Sequence, residues 1–235
     1  MLGVTIIVDG ENIHTYKDWG LKWYGLEISS PDPKTNYIDI PGGDGKLDLS
    51  EALTGDIKYD NRKIKLKFDV DGDYYKWIDK SSEIMNFIHG KKAKIILDTD
   101  PSFYWYGRIE LSSGKEDFSL GELEITADVE PYKNDLISSL EDWKWDIFNF
   151  ETGVIRDYRN LNVDGKLKVV IPGTRKKICP TIQSTSNMEL WVDGNIINIK
   201  QGTYRYWDIV LSKEDNILTF KGVGAISIEY RGGSL

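Results

Sequence analysis

Residues 37–68 read YIDIPGGDGKLDLSEALTGDIKYDNRKIKLKF. Proline, glycine and aspartate fill residues 41–45, which favours a sharp reversal between two strands, since proline fixes φ and glycine tolerates positive φ. Further on, Ile64, Leu66 and Phe68 alternate with three lysines. This alternation predicts a half-buried strand, because successive side chains of a strand point to opposite faces. The stretch therefore predicts a β scaffold and contains no catalytic side chain.

One amphipathic helix is predicted in residues 73–89. Apolar side chains recur there at helical spacing, among them Ile78, Met85 and Ile88, and Gly90 follows as the glycine that commonly ends a helix. The pattern is typical of a helix that packs one face on a sheet.

The first half of the chain contains further predicted strands that stop near residue 132. Residues 93–97 and 103–111 are predicted as a hairpin, and a strand from residue 121 to 129 has apolar side chains at every second position. Pro131 then interrupts the pattern. A chain of 235 residues is long enough for two hydrophobic cores. We therefore predict an N-terminal domain, residues 1–132, and a C-terminal domain, residues 133–235.

The second half alternates short predicted strands with turn residues, as β-sandwiches do. Asp164-Gly165 and Gly222 are predicted as turns, and Asp193-Gly194 is the strongest hairpin signal, since this dipeptide tolerates positive φ. The sequence thus predicts a protein that is mainly β with one α-helix. The strands predicted in this half cover residues 137–150, 166–171, 181–183, 189–192, 196–199, 204–211, 217–220 and 225–230.

The chain is acidic, with a net charge of −8. The excess lies in residues 1–130, which hold 16 Lys and Arg against 25 Asp and Glu. A negative surface repels phosphate backbones, and the two basic stretches, residues 62–67 and 175–177, fit the wet face of a strand and a turn. The apolar run at residues 4–8 is far too short to cross a bilayer. We therefore expect no specific nucleic-acid binding and no membrane insertion.

No combination of residues predicts an active site. His14 and His89 lack a serine or cysteine in a recognisable nucleophile motif. Cys179 is the single cysteine, which excludes an internal disulfide and a normal zinc site and suits folding in a reducing cytoplasm. Residues 42–46, GGDGK, do not match the phosphate-binding loop, which needs GxxxxGK[ST]. The sequence predicts no enzyme and no cofactor.

The sequence suggests one candidate metal site, a calcium-binding loop. Asp69, Asp71 and Asp73 have the spacing of the first ligands of an EF-hand. Tyr74 stands where that loop needs glycine, and Lys80 stands where it needs a bidentate glutamate. The sequence therefore favours a turn and a helix start here and predicts no metal.

Two aromatic segments are candidates for binding. Residues 103–108 read FYWYGR and residues 143–150 read WKWDIFNF. Alternate residues of a strand share a face, so the four aromatic side chains of the first segment form two rows. Such rows enter a core, form a subunit interface or stack on sugar rings. The candidate residues for a subunit interface or for glycan stacking are Phe103, Tyr104, Trp105 and Tyr106.

The order of motifs in both halves resembles the distal tail proteins of siphophages, which are phage or prophage tail components. In the first half the resemblance rests on a proline-glycine loop, a Leu-Asp-Leu step, an Ala-Leu-Thr-Gly segment and a Tyr-Asp-Asn-Arg strand entry. Near the C terminus it rests on an Asn-x-Leu-x-Phe step and a closing Glu-Tyr-Arg segment. The motifs lie in this order at residues 41–45, 47–49, 52–55, 59–62, 216–220 and 229–231.

The resemblance implies a ring-forming N-terminal β domain with a helix packed on it, followed by a galectin-like β-sandwich. It implies a structural protein of the virion, made in the bacterial host cytoplasm, that forms a hexameric ring. The ring would connect the tail tube to the baseplate or tail tip used in host attachment. The implied partners are the tail tube, tail-associated lysin or tail-tip proteins, and receptor-binding proteins.

Two other functions are consistent with the sequence. The first is a carbohydrate-binding adhesion module that acts directly on host cell-wall glycans through the aromatic segments. The second is a hydrolase in which two of the 38 acidic side chains converge in a cleft.

Overall fold

The computed structural model describes residues 1–70, 74–114, 121–142 and 157–235. Within these ranges the chain is mainly β with a single α-helix, which confirms the predicted fold class. It divides into two compact units, Met1–Asp100 with Trp105–Pro131 and Pro101–Tyr104 with Tyr132–Leu235. No helix in the described ranges is long and apolar enough to cross a membrane.

An antiparallel sheet forms the body of the first unit. Strand β8 begins in the second unit and continues into the first from Trp105 onward. The elements are β1 (Val4–Val8), β2 (Glu11–His14), β3 (Lys22–Ile28), β4 (Tyr37–Asp39), β5 (Lys46–Asp48), β6 (Arg62–Val70), α1 (Tyr74–Ile88), β7 (Lys92–Leu97), β8 (Phe103–Gly114) and β9 (Gly121–Val129). The strands pair in the order β2-β1-β7-β8-β9-β6-β3.

The core of the first unit follows the predicted alternation. Ile64, Leu66 and Phe68 of β6 are fully buried, and every second residue of β9 is buried beside them. The predicted helix is confirmed over the described residues Tyr74–Ile88, with Ile84 and Ile88 fully buried against this face. The next glycine, Gly90, has the positive φ of 75° expected of a residue that ends a helix.

The proline-glycine loop at residues 41–45 makes the predicted sharp reversal between two strands. It connects β4 to β5, which form a separate two-stranded sheet, and residues 49–61 follow before β6 begins. Gly42 and Gly45 have φ of 74° and 80°, values that favour glycine. Both strands of this hairpin are exposed along their whole length.

The second unit contains a six-stranded sheet with β16 at its centre. Its elements are β10 (Lys133–Asp135), β11 (Leu161–Ile171), β12 (Thr181–Ser184), β13 (Met188–Val192), β14 (Asn195–Ile199), β15 (Gly202–Arg205), β16 (Asn216–Glu229) and β17 (Gly233–Ser234). The sheet order is β14-β13-β16-β12-β15, and β11 pairs with β16. β10 pairs with β17 and with the first two residues of β8. The galectin-like sandwich stays a prediction.

Strand β16 corrects two predicted turns. The predicted strands 217–220 and 225–230 are one strand, since Gly222 lies inside it with φ of 152°. A Cβ atom on Gly222 would lie 2.7 Å from Cβ of Met188, so the glycine permits β13 to approach β16 closely. Gly165, the other predicted turn residue, pairs with Gly222 inside β11. Gly222 therefore serves a close approach of strands and not a reversal, whereas Gly165 has φ of 76° and open space where its Cβ would lie.

Other strand predictions in the second half had mixed outcomes. The Asp193-Gly194 hairpin is confirmed, with φ of 47° and 79° and strands β13 and β14 on either side. The predicted strand 204–211 is wrong beyond Arg205, where β15 ends. Residues 137–142 form no strand, and residues 143–150, which include the second aromatic segment, lie outside the described residues.

Candidate assembly surfaces

The four predicted aromatic residues lie at the start of β8 and are divided between the two units. Trp105 is buried in the core of the first unit, and the Arg62 guanidinium lies 4.8 Å from its ring centroid. Tyr106 belongs to the same unit and is half-buried. Phe103 and Tyr104 belong to the second unit, with cations of that unit over both rings. Because Trp105 is buried, its ring is not accessible to a sugar.

Both histidines hold backbone groups in place. Nδ1 of His14 accepts hydrogen bonds from two backbone N–H groups just ahead in the chain, each at 3.2 Å, and Nε2 donates to Asp98 at 3.1 Å. Nδ1 of His89 accepts a hydrogen bond from the backbone N–H of Leu111 at 3.1 Å. These bonds assign a structural role to each ring, since buried polar groups need partners.

The calcium spacing falls partly outside the described residues, which exclude residues 71 and 73. Asp69 lies in β6, opposite Lys22 of β3 and Glu122 of β9. Within the described ranges, no three His, Cys, Asp or Glu side chains come together in a group that could hold a metal ion.

The edge strand β3 extends the core face of the first sheet without being covered. Leu26 stands opposite Leu66 of β6, and Ile28 stands opposite Ile64. The two β6 residues are fully buried, whereas Leu26 and Ile28 are 39% and 37% exposed. Side chains directly opposite each other in antiparallel strands share a face, so the apolar row of the core continues onto the surface. Unpaired edge strands with apolar side chains are surfaces that other chains bury.

The β4–β5 hairpin is a second exposed apolar surface of the first unit. Ile38 of β4 stands opposite Leu47 of β5, and both side chains are about half exposed, as are Tyr37 and Ile40. An isolated two-stranded hairpin is marginally stable in water, so contacts beyond the hairpin are needed to order it fully.

The base of this hairpin is closed by hydrogen bonds to Ser50. The backbone N–H of Asn36 donates to Oγ of Ser50 at 2.8 Å, and the hydroxyl and N–H of Ser50 both donate to Oδ1 of Asp48. These bonds from Ser50 lower the pKa of Asp48 below its ordinary value. These hydrogen bonds hold the exposed pair, Ile38 and Leu47, in a fixed position relative to Asn36 at the start of the hairpin.

The opposite face of β3, β6 and β9 carries charges of both signs. Lys67 and Lys63 of β6 stand opposite Glu124 and Asp128 of β9, and Nζ of Lys67 donates to Glu27 of β3 at 2.8 Å. This hydrogen bond lowers the pKa of Glu27 and raises the pKa of Lys67. The carboxylate and ammonium are exposed, so solvent screens the pair and its contribution to stability is small.

The second unit has an exposed apolar patch of its own. Trp191 of β13 stands opposite Ile196 of β14, and Val170 of β11 stands opposite Ile217 of β16. All four side chains are more than a third exposed. Nζ of Lys221 lies 3.6 Å from the centroid of the Trp191 ring. A patch of this kind, apolar with a charged margin, is typical of protein contact surfaces.

Comparison with known proteins identifies the architecture. No protein-family model and no curated protein sequence matches the chain. A solved structure does: the crystal structure of the Dit protein of phage SPP1, described as a paradigm of the hub adsorption apparatus in phages that infect Gram-positive bacteria. The two structures align with a TM-score of 0.57 and 15% sequence identity over 97% of this chain and 98% of the SPP1 chain. The chain has a Dit-like fold.

The Dit-like fold confirms the resemblance that the sequence motifs predicted, at the level of architecture. The alignment covers 97% of the chain and therefore spans both units. The exposed apolar rows of β3 and of the β4–β5 hairpin were not predicted. Leu26 and Ile28 alternate with polar neighbours, and this signal indicates a strand but does not reveal that its apolar face is uncovered.

Proposed function

We propose that this chain is a distal tail protein, a structural component of a phage or prophage tail. The observation that carries the proposal is the Dit-like fold along 97% of the chain. The SPP1 protein is described as the hub of an adsorption apparatus, and the corresponding role here is a hub between the tail tube and the baseplate or tail tip. The role is structural and requires no catalytic group.

The proposed assembly is a hexameric ring built by the first unit. A closed ring needs two different surfaces on each subunit, because each chain contacts one neighbour on each side. The apolar edge at Leu26 and Ile28 and the hairpin with Ile38 and Leu47 are two separate apolar surfaces of this unit, which supports such a contact. Burying apolar surface between neighbours would supply the main favourable free energy.

The second unit would hold the proteins that contact the host. Its exposed patch around Trp191 and Ile217 is apolar enough to dock a tail-tip or receptor-binding protein. In this proposal the protein is located in the virion, at the tail tip, after synthesis in the bacterial cytoplasm. Its acidic net charge of −8 fits a partner set of proteins without specific nucleic-acid binding.

The test is the mass of the purified full-length protein in solution, by light scattering, together with negative-stain images. We expect six-fold rings. The double substitution Leu26→Ser with Ile28→Ser should leave the circular dichroism spectrum intact and lower the mass towards that of the monomer, because it removes apolar area from the edge.

The matched control is Glu27→Gln, which lies between the two substituted residues on the opposite face of β3 and should keep the rings. Rings that persist in the double variant would exclude the β3 edge as a contact. A monomeric intact protein, alone and in the presence of purified tail-tube protein, would contradict the proposed ring.

A further inference from the structure

The second unit contains a cleft of about 500 Å³ that the proposed ring does not use. It lies where the ends of β12, β15 and β16 meet the chain segment 176–179. The cleft is lined by four cationic side chains and one acidic side chain, in a chain that is negative overall. The charged side chains of the lining are Lys176, Lys177, Arg205, Arg231 and Glu229.

One wall of the cleft is a row of three side chains across three strands. Thr181 of β12 stands opposite Arg205 of β15 on one side and opposite Glu229 of β16 on the other. Directly opposite residues share a face, so the guanidinium, the hydroxyl and the carboxylate belong to the same surface. Neither Arg205 nor Glu229 forms an ion pair with a described residue, so both charges are available to a ligand.

An exposed aromatic ring stands beside this row. Trp207 is 67% exposed, and the Arg205 guanidinium lies 4.2 Å from its ring centroid. The cation–π contact orients both side chains at the mouth of the cleft. A planar ring next to a fixed cation offers an apolar face and a charge to the same ligand.

The other cations are held by side-chain and backbone oxygens. Nζ of Lys176 donates to the amide oxygen of Asn134 at 2.5 Å. Arg231 donates to the backbone oxygens of Asp135 and Leu136 and to the carboxylate of Glu141. Lys176 and Arg231 are therefore held by other groups of the fold, and Arg205 is the cation of the lining that lies beside the exposed Trp207.

The walls are fixed before any ligand arrives. The backbones of Ile178 and Leu211 exchange two hydrogen bonds, of 3.1 and 2.8 Å, and the N–H of Tyr206 donates to the oxygen of Pro180 at 3.1 Å. These bonds join the segment that bears Lys176 to the segment that bears Trp207. A site with ordered walls loses little conformational entropy when it binds.

We propose that this cleft binds a saccharide that carries an acidic group, either a phosphate or a carboxylate. The Arg205 guanidinium would bind the acid with charge-assisted hydrogen bonds. The exposed face of Trp207 would pack on the sugar ring, and the Glu229 carboxylate and the Thr181 hydroxyl would accept or donate hydrogen bonds to sugar hydroxyls. Glu229 distinguishes this chemistry from that of a plain polyanion site, since it would repel a ligand that has no hydroxyl donors there.

Isothermal titration calorimetry on the full-length protein tests the proposal with small probes. N-acetylglucosamine 1-phosphate and glucuronic acid separate a phosphate from a carboxylate, and at least one of them should bind. Glucose and N-acetylglucosamine lack the acid and should bind at least about tenfold more weakly, because the charge-assisted bonds are missing. Inorganic phosphate and a poly-glutamate peptide should also bind at least about tenfold more weakly, since they offer no sugar ring.

Two variants and two matched controls locate the binding. Arg205→Gln and Trp207→Ala should each lower the affinity for the acidic sugar that binds by about tenfold or more. Lys168→Gln removes a cation, and Tyr24→Ala removes an aromatic ring, from exposed positions outside the cleft, and neither should change the affinity. Because both sites are exposed, the variants should keep the circular dichroism spectrum of the intact protein.

Several results would overturn the inference. The first is an intact protein that binds neither acidic sugar. The second is phosphate or poly-glutamate that binds as tightly as the acidic sugar, which would indicate an anion or an acidic protein as the ligand. The third is unchanged affinity in both cleft variants. None of these results depends on ring formation, which is measured separately by mass and by images.

Discussion

Strands β6 and β3 are paired neighbours with different surroundings. β6 alternates apolar with polar residues from Lys63 to Val70, β3 alternates only beyond its register shift, from Gly25 to Ile28, and Leu66 and Leu26 stand directly opposite each other. Leu66 is fully buried because β9 and α1 complete its surroundings, whereas Leu26 on the edge is 39% exposed. Beyond the register shift the alternation is the same, but only one of the two apolar rows is covered within the chain.

This difference indicates which part of the first unit exposes apolar side chains that a contact with another chain would bury. A soluble protein commonly blunts its edge strands with charges or covers them, because open edges attract other strands. β3 instead carries Leu26 and Ile28 on its apolar face, and the hairpin that follows it exposes Ile38 and Leu47. The first unit thus separates residues that hold its own core together from residues that are suited to holding a neighbour.

The largest expected effect comes from truncating the buried member of the leucine pair. Leu66→Ala should lower the free energy of unfolding by about 3 kcal/mol, because it removes buried methyl groups and leaves a cavity. Leu26→Ala should lower it by less than about 1 kcal/mol in the monomer, since water already reaches that side chain. Urea unfolding at concentrations that keep the protein monomeric measures both, and equal losses would contradict the division between core and contact residues.

Removing the side-chain link between β6 and the end of β3 should have an intermediate effect on the free energy of unfolding. Nε of Arg62 donates to the backbone oxygen of Ser29, just beyond β3, at 2.6 Å, and its guanidinium lies over the ring of Trp105. Arg62→Met should cost about 2 kcal/mol, because it removes a charge-assisted hydrogen bond and a cation–π contact. Hydrogen exchange at the Ser29 N–H, which is bonded to the oxygen of Lys63, should become faster.

The matched control for this link is Lys63→Met, the exposed neighbour on the same strand. It should change the free energy of unfolding by less than about 0.5 kcal/mol, since it removes no buried contact. If the two variants were equally stable, Arg62 would not be holding β3 in place.

Local patterns in the sequence were sufficient to predict the helix and the buried strands. The helical spacing that includes Ile84 and Ile88 is repeated over several turns, and the alternation of Ile64, Leu66 and Phe68 is repeated along a strand. A repeated pattern still predicts its element where a single residue departs from it. Gly222 shows the opposite case. A glycine that admits Met188 across a strand pair looks the same in the sequence as a glycine that makes a turn, because the difference lies in a residue 34 positions away.

Which residues come together in the candidate sites is decided almost entirely by contacts between residues that are far apart in the sequence. The aromatic rows at residues 103–106 were predicted to enter a core, to form a subunit interface or to stack on sugar rings, and the ring of Trp105 is buried in the core of the first unit. In the cleft, Lys176 was predicted as part of a turn, and the fold brings it to the same opening as Arg205, Trp207 and Glu229. Alternation predicts which side chains share a face, but it does not predict what covers that face.

Substitutions in the exposed hairpin sharpen the comparison further, because they should affect assembly without affecting the monomer. Ile38→Ser with Leu47→Ser should change the free energy of unfolding by less than about 0.5 kcal/mol, since both side chains are already half exposed. The same variant should lower the mass in solution, by loss of apolar contact area. Asp44→Asn in the exposed loop is the control, and a large loss of monomer stability in the double variant would show that the hairpin packs on its own chain.

The smallest effect on stability is expected from the charged pair between β6 and β3, on the face opposite the apolar row. The hydrogen bond from Lys67 lowers the pKa of Glu27, so the ionised carboxylate is favoured in the folded state. This contribution is present above the unfolded pKa of glutamate, about 4.3, and is lost as the pH falls through the lower folded value. Lys67→Gln should return the Glu27 titration, followed by NMR, to its ordinary range. It should also remove that small part of the acid dependence of stability. An unchanged Glu27 titration in the variant would mean that the lysine does not pair with it in solution.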